Sequence, residues 1–213
     1  MRKIMVLNSK GGCGKSTIAT NLASYFAYYE EKKVTLVDFD PQGSSRDWLK
    51  VRSRQWPEIT GIDATKEPVR FSKDTEIVIM DAPARVEGRE LANLVKRVET
   101  IIIPVLPSPI DIRAAAQFIK ELLTNGRVSR NETKVVVIAN RVRENTLSYH
   151  ALNAFLKSLK IPFVTTLRDT QNYVYAEDKG IGIFEMAPSR VWQDLEQWDP
   201  LVKWLRSKRS RAS

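Results

Sequence analysis

One short run near the amino terminus carries the densest chemistry in this chain: Ser9-Lys10-Gly11-Gly12-Cys13-Gly14-Lys15-Ser16-Thr17. It follows the apolar stretch Ile4-Met5-Val6-Leu7 and precedes a helix-like segment from Ile18 to Tyr29. Glycines let backbone N–H groups turn inward around an oxyanion without Cβ clashes. The start of a helix adds partial positive charge at the same place. Strand, loop and helix in that order form a phosphate cradle of Gly11, Gly12, Cys13, Gly14, Lys15, Ser16 and Thr17. Lys15 then reaches the β- and γ-phosphates, and the Ser16 hydroxyl holds Mg²⁺. The run departs from G-x-x-x-x-G-K-[ST] in two ways. Ser9 replaces the first glycine, and a second lysine, Lys10, stands at the front of the loop.

Three further segments end in polar groups. Val34–Asp38 continues as Phe39-Asp40-Pro41-Gln42-Gly43-Ser44. Asp38 and Asp40 lie two apart and point the same way in extended chain. Beside a nucleotide they could serve a Mg²⁺ shell and orient a water, although the run also reads as an ordinary Asp-Pro-Gln-Gly turn. Ile77-Val78-Ile79-Met80-Asp81 is four apolar residues and then a carboxylate, an arrangement that lets an aspartate hold Mg²⁺ through water. In Val137-Ile138-Ala139-Asn140, Asn140 either reads adenine through its paired donor and acceptor or ends the strand in a turn. Cys13 sits where a helix N-terminus lowers a thiol pKa; a small side chain that fits the loop is the simpler reading. His150 reads as a surface residue on a helix remote from these motifs. No Cys/His cluster has metal-ligand spacing, and no Ser-His-Asp set is evident.

The elements that must position these groups alternate along the chain. Strands are predicted at Lys3–Leu7, Val34–Asp38, Ile59–Asp63, Ile77–Asp81, Thr100–Leu106, Val135–Asn140 and Phe163–Thr165. Runs such as Ile101-Ile102-Ile103 and Val135-Val136-Val137-Ile138 are apolar throughout, as in parallel strands buried on both faces. Between them lie apolar stripes at helical spacing: Ala19, Leu22, Ala23, Phe26; Ile112, Ala115, Ala116, Ile119; and Leu147, Ala151, Phe155, Leu159. The pattern predicts a doubly wound α/β fold, a mostly parallel sheet with helices on both faces. Ligands of such folds bind beyond the carboxyl ends of the strands. A last helix runs from Ser189 to about Arg206, with a kink or break predicted at Asp199-Pro200. Trp192 and Trp198 are expected to line one of its faces. Residues 1–206 read as one domain and residues 207–213 as a basic flexible tail.

Taken together, these motifs resemble a known family. Lys10-Gly11-Gly12-Cys13-Gly14-Lys15-Ser16-Thr17 resembles the deviant Walker A motif of the ParA/MinD ATPases. Asp38-Phe39-Asp40-Pro41-Gln42-Gly43-Ser44, with Asp47-Trp48, resembles the ParA switch I region. Asp81-Ala82-Pro83-Ala84 resembles switch II. Ile103-Pro104-Val105-Leu106-Pro107-Ser108-Pro109 resembles the proline-rich strand end of ParA. The resemblance spans Arg2 to about Leu205 and implies a P-loop NTPase fold with slow hydrolysis of ATP to ADP, using ATP and Mg²⁺. It implies a homodimer, formed with ATP, in which Lys10 of one subunit reaches the nucleotide of the other. By the same resemblance Lys10, Lys15 and Asp40 are catalytic, with Asp40 positioning the attacking water. Ser16, Asp38 and Asp81 serve the metal, and Asn140 turns toward adenine. A short ParA-type protein of this kind, without the N-terminal DNA-reading extension of longer members, binds non-specific DNA. It positions a plasmid, chromosome or protein cargo, including carboxysomes in the McdA branch. An adaptor of ParB type or a functional equivalent stimulates hydrolysis. Thr166-Leu167-Arg168-Asp169 resembles the ParA segment that carries a DNA-contacting arginine.

Composition fits these expectations. The 213 residues, 43% of them hydrophobic, suffice for a substantial core. A net charge of +9 points to a polyanionic partner, nucleic acid or an anionic membrane surface. Candidate DNA contacts are Arg141, Arg143, Lys157, Lys160, Arg168, Lys203 and Arg206, followed by Lys208 and Arg209. No apolar run approaches the ~18 residues of a membrane span, and Met1-Arg2-Lys3-Ile4 has the wrong flank for a signal peptide. One cysteine allows no intrachain disulfide, so a cytoplasmic protein is expected, and the ParA resemblance implies association with the nucleoid. Two other readings compete. A MinD-type membrane positioner would use Leu201-Val202-Lys203-Trp204-Leu205-Arg206 as an interfacial helix. Leu201, Val202 and Leu205 read instead as core contacts, and Asp-Pro-Gln-Gly-Ser favours ParA. A relative of the nitrogenase iron protein needs cysteine ligands at two positions of each subunit, which Cys13 alone cannot supply.

Overall fold

The computed structural model describes residues 1–143 and 146–212. Seven strands form one sheet: β1 (Arg2–Val6), β2 (Val34–Asp38), β3 (Ile59–Asp63), β4 (Ile77–Asp81), β5 (Thr100–Val105), β6 (Lys134–Val142) and β7 (Phe163–Arg168). Their order is β3-β2-β4-β1-β5-β6-β7, and each neighbouring pair is parallel. All seven predicted strands are present, within a few residues at their ends. Helices α1 (Lys15–Tyr28), α2 (Ser44–Val51), α3 (Gly88–Val95), α4 (Pro109–Thr124), α5 (Gly126–Ser129), α6 (Leu147–Ser158), α7 (Gln171–Asp178) and α8 (Pro188–Arg206) connect or cover them.

Alternation along the strands sorts the core into two layers. Ile4, Val6, Leu36, Ile79, Ile102, Val136 and Ile138 pack with residues of α1 and α8. Met5, Leu7, Val37, Val78, Met80, Ile101, Ile103 and Val137 pack on the other face with α3, α4 and α6. Each large aliphatic side chain buried there contributes roughly 1.5–3 kcal/mol. Strand β1 lies at the centre, between β4 and β5. The connection from β1 runs to β2 on one side and that from β4 runs to β5 on the other, so the crevice at the carboxyl ends of β1 and β4 is the switch point where such sheets bind ligands.

Four helical details differ from expectation. In α6, Leu152 and Leu156 are buried, while Leu147 is 90% exposed and Ala151 also faces out. Of the predicted stripe, Phe155 and Leu159 are half-buried and pack against this core, while Leu147 and Ala151 do not; the buried Leu152 and Leu156 lie one residue, about 100°, further round with the same spacing. Helix α8 runs unbroken through Pro200. Leu201, Val202 and Leu205 are buried beyond the proline, and the nearby carbonyl of Gln197 accepts the Thr165 hydroxyl. Packing outweighs the roughly 3 kcal/mol that an interior proline costs. Trp198 is fully buried, whereas Trp192 is 57% exposed; six residues of helix separate the two by about 240°. Finally, the segment expected as a tail begins with a 3-10 turn at Lys208–Ser210. Ser210 is buried, its carbonyl accepts from the Thr100 hydroxyl at 2.6 Å, and its hydroxyl accepts from Arg2 Nη2 at 2.7 Å.

Candidate nucleotide site

The loop after β1 delivers its backbone to the mouth of the switch-point crevice. Gly12 and Gly14 adopt left-handed backbone, with φ of 74° and 91°. At Gly14 a Cβ would lie 2.2 Å from the Asn140 amide nitrogen, so no other residue fits. Gly14 caps α1 without a side-chain hydrogen bond, which leaves the helix start open to an anion. Lys15 is buried, and its Nζ donates to the Lys10 carbonyl at 3.0 Å. Cys13 Sγ reaches the same carbonyl at 3.3 Å. Together with Asp40–Gln42, Ser44, Pro83, Ala84, Arg141 and Glu177, Gly11, Gly12, Gly14 and Lys15 to Thr17 bound a cleft of about 510 Å³.

Cys13 departs from the expectation of a lowered pKa. Burial pushes its thiol up, against the smaller opposing effect of Lys15, and the side chain is 1% exposed. It is a small packing residue of the loop. Asn140 is not a strand end. Strand β6 continues past it to Val142, it is buried, and its amide nitrogen donates to the Cys13 carbonyl at 2.8 Å. It braces the phosphate loop from the neighbouring strand.

The carboxylates divide by environment. Asp81 is fully buried. Its Oδ2 accepts the Ser45 hydroxyl at 2.7 Å, while Oδ1 has no hydrogen-bond partner. Burial pushes its pKa up to about 6, against the pull of the Ser16 and Ser45 hydroxyls and of Lys15. Asp38 is equally buried but engaged: Oδ1 accepts the Asp40 N–H at 2.8 Å and Oδ2 the Arg46 N–H at 3.2 Å. Burial raises its pKa too. Asp38 therefore pins the loop that carries Asp40. Asp40 is half-buried at the cleft wall and accepts the Gln42 N–H at 2.9 Å.

Sequence reading missed Ser45 and Arg46. Arg46 pairs with Asp63, lies 3.5 Å from Asp38, and reaches the carbonyls of Asp40 at 3.4 Å and Pro41 at 3.3 Å. Asp63 is held well below the usual carboxylate range by the Thr65 hydroxyl and then by Arg46. Nothing in a lone Ser-Ser-Arg run announces these contacts, since the strands that meet there are distant in sequence.

A divalent cation with oxygen ligands fits this arrangement. The donors are hard oxygens, the Ser16 hydroxyl lines the cleft, and Asp81 keeps one buried oxygen without a partner. No group of three or more His, Cys, Asp or Glu side chains suited to a metal occurs among the described residues, this site included.

The basic candidates fall into different settings. Arg168 grips the buried Asp194 through Nε at 2.6 Å and Nη2 at 3.0 Å, and also pairs with Gln193. It is a partly exposed clamp between β7 and α8. Arg143 pairs with Asp169 at 2.9 Å, Lys203 with Asp199 at 2.7 Å, and Arg206 lies 3.3 Å from Glu30. Arg141 leans over the phosphate loop, 3.5 Å from the Gly12 carbonyl. Lys157 and Lys160 are exposed and make no ion pair among the described residues. Lys160, Arg209 and Lys134 meet around one shallow cleft of about 230 Å³. No helix of the described residues is long and apolar enough to cross a membrane.

Known proteins are similar to this chain in sequence and in fold. The chain is 29% identical over 197 residues to the "Maintenance of carboxysome distribution protein A" of Halothiobacillus neapolitanus, covering 86% of this chain and 87% of that one. It is 49% identical over 55 residues to the chromosome-partitioning ATPase Soj of Thermus thermophilus, covering 26% of this chain and 22% of that one. The Cyanothece apo McdA structure superposes with a TM-score of 0.76 at 15% identity, covering 96% of this chain and 99% of that one. The profile of the CobQ/CobB/MinD/ParA nucleotide binding domain matches residues 4–183. That match spans most of the chain, including the glycine loop and the ends of β2 and β4, and this chain is a member of the CobQ/CobB/MinD/ParA nucleotide-binding family.

Proposed function

We propose that this protein is a ParA-type ATPase that Mg·ATP joins into a homodimer, and that the dimer binds DNA without regard to sequence. In this reading an adaptor protein stimulates hydrolysis, and the cycle positions a plasmid, chromosome or protein assembly over the nucleoid in the cytoplasm. The likeness to carboxysome-distribution and chromosome-partitioning proteins supports it. The observation that carries it is the juxtaposition of Lys15 and Asp81 beside one open helix start, without an ion pair between them: a buried ammonium on one side and a buried carboxylate oxygen without a partner on the other.

Phosphoryl transfer asks the protein for positioning and charge neutralisation rather than covalent chemistry. Mg²⁺, when bound, neutralises the β- and γ-phosphate charge. Lys15 leaves the Lys10 carbonyl for the phosphate oxygens, and the N–H groups at the start of α1 cradle them. Ser16 and Asp81 hold the metal side. Asp40, on a loop pinned through Asp38 and Arg46, takes the position of the group that orients the attacking water. Lys10, half-buried and without an ion pair among the described residues, reaches across to the second subunit's nucleotide. Lys157, Lys160, Lys134 and Arg209 supply phosphate contacts to DNA, a sequence-independent attraction.

Gel shift on random-sequence duplex, set beside sedimentation with anionic liposomes, tests the reading. ATP-dependent retention of DNA without liposome binding is expected. Liposome binding without DNA binding replaces the proposal with a membrane positioner. The burial of Leu201, Val202 and Leu205 argues against that outcome, because it leaves the last helix no free apolar stripe.

A further inference from the structure

Helix α2 touches the nucleotide site through two consecutive residues. Ser45 is wholly buried, and its hydroxyl donates to Asp81 Oδ2 at 2.7 Å. Its neighbour Arg46 donates its backbone N–H to Asp38 Oδ2 at 3.2 Å and extends its guanidinium to the carbonyls of Asp40 and Pro41. Asp38 in turn receives the Asp40 N–H at 2.8 Å. One helical turn thus ties the end of β4 to the loop that carries Asp40.

The two oxygens of a carboxylate are equivalent until something distinguishes them. At Asp81 the Ser45 hydroxyl does so. It occupies Oδ2 and leaves Oδ1 without a partner, on a side chain that also feels the Ser16 hydroxyl and Lys15. Without that donor the carboxylate turns about its broad terminal torsion, and α2 loses its direct link to β4. We propose that Ser45 is a positioning residue of the nucleotide site: it fixes which oxygen of Asp81 serves the metal and couples that carboxylate to the Asp40 loop. The inference rests on the ATPase reading above. Groups that orient a metal-side ligand from behind typically alter metal affinity by about 10- to 100-fold when removed.

Ser45→Ala removes the hydroxyl, and Ser45→Thr retains it. Binding of a fluorescent ATP analogue to the full chain is measured in EDTA and across a Mg²⁺ titration. Hydrogen exchange of residues 39–44 is followed with and without Mg·ATP. In EDTA the wild type and Ser45→Ala are expected to bind the analogue within about twofold of each other. The half-saturating Mg²⁺ concentration rises about tenfold or more in Ser45→Ala. Its kcat falls with little change in KM, since the lost contact acts on the transition state. Magnesium-induced protection of residues 39–44 is lost as well. Ser45→Thr restores the Mg²⁺ response; if the added methyl unfolds that variant, the exchange measurement on Ser45→Ala decides alone. A Ser45→Ala protein that melts earlier yet keeps the wild-type Mg²⁺ midpoint, kcat and protection overturns the proposal and leaves Ser45 a packing residue. Wild-type protein with no Mg²⁺-dependent ATP binding overturns the ATPase reading itself, and this inference with it.

Discussion

Lys15 Nζ donates to the carbonyl oxygen of Lys10 at 3.0 Å, so the two lysines of the phosphate loop are joined through the loop's own backbone. The ammonium is buried and held near the place where phosphate oxygens would lie. Binding exchanges one oxygen acceptor for another, with little reorganisation of the side chain.

Removal of Lys15 is therefore expected to abolish useful nucleotide binding. Loss of two charge-assisted hydrogen bonds, roughly 1.5–3 kcal/mol each, weakens binding by about 100-fold or more. Isothermal titration of Lys15→Ala with Mg·ATP checks this. Affinity within a few fold of wild type would remove the lysine from the site.

Asp40 and Lys10 are expected to affect turnover rather than binding. Asp40→Ala keeps ATP affinity and loses about 10²–10⁴ in kcat, the range typical of a positioned acid–base group. With hydrolysis blocked, light scattering of Asp40→Ala in saturating Mg·ATP should show a dimer that ADP does not support. Lys10→Ala, made in the same background, should shift the species toward monomer. A monomeric Asp40→Ala protein in Mg·ATP contradicts the shared site.

Asp81 carries a stability cost that its function explains. Its folded pKa of about 6 lies above the ordinary 3.8. The folded chain thus holds a proton that the unfolded chain has released. By linkage, the contribution of this one group to stability is most favourable below about pH 4, falls as pH rises toward 6, and stays lowered at neutral pH, opposite in sign to that of carboxylates held down, such as Asp63. Asp81→Asn removes the buried charge. It should stabilise the nucleotide-free protein by on the order of 2–3 kcal/mol, a rise of several degrees in Tm, and flatten the pH dependence. The same variant should gain no further stability from Mg·ATP. Thermal melts from pH 4 to 8, with and without nucleotide, measure both effects. An Asp81→Asn protein that melts lower without nucleotide contradicts this account of the site.

Much of the fold was legible because parallel strands buried on both faces announce themselves as unbroken apolar runs; Ile101-Ile102-Ile103 and Val135 to Ile138 have no other comfortable home. The phosphate loop was legible for a similar reason, since its glycines and lysines are consecutive. What failed were properties set by residues distant in sequence. Asp38 looks like Asp81 on paper, yet Asp40 and Arg46 occupy both oxygens of the one, while Ser45 occupies a single oxygen of the other. Arg168 looks like a surface cation until Asp194, on another element, closes on it. In α6 two stripes share one spacing, and only the sheet beneath chooses between them.

Arg168 and the exposed lysines should separate cleanly by mutation. Arg168→Ala leaves Asp194 buried without its counter-charge, a change that costs roughly 3–5 kcal/mol. Lys157→Ala and Lys160→Ala should leave Tm unchanged and each reduce the salt slope of DNA binding by roughly one unit. Denaturant unfolding and salt-dependent anisotropy distinguish the two classes. An Arg168→Ala protein of normal stability and weakened DNA binding would reverse the assignment.

The most direct test is the affinity of the intact protein for random-sequence duplex DNA, measured in Mg·ATP and in Mg·ADP from low to moderate salt. Joining two weak basic surfaces by dimerisation raises the effective concentration of the second contact. Binding should therefore be at least about tenfold tighter with ATP than with ADP and fall steeply as salt rises. It should not distinguish one sequence from another. Affinity that is the same with both nucleotides and indifferent to salt would contradict an ATP-switched dimer that grips DNA by its phosphates.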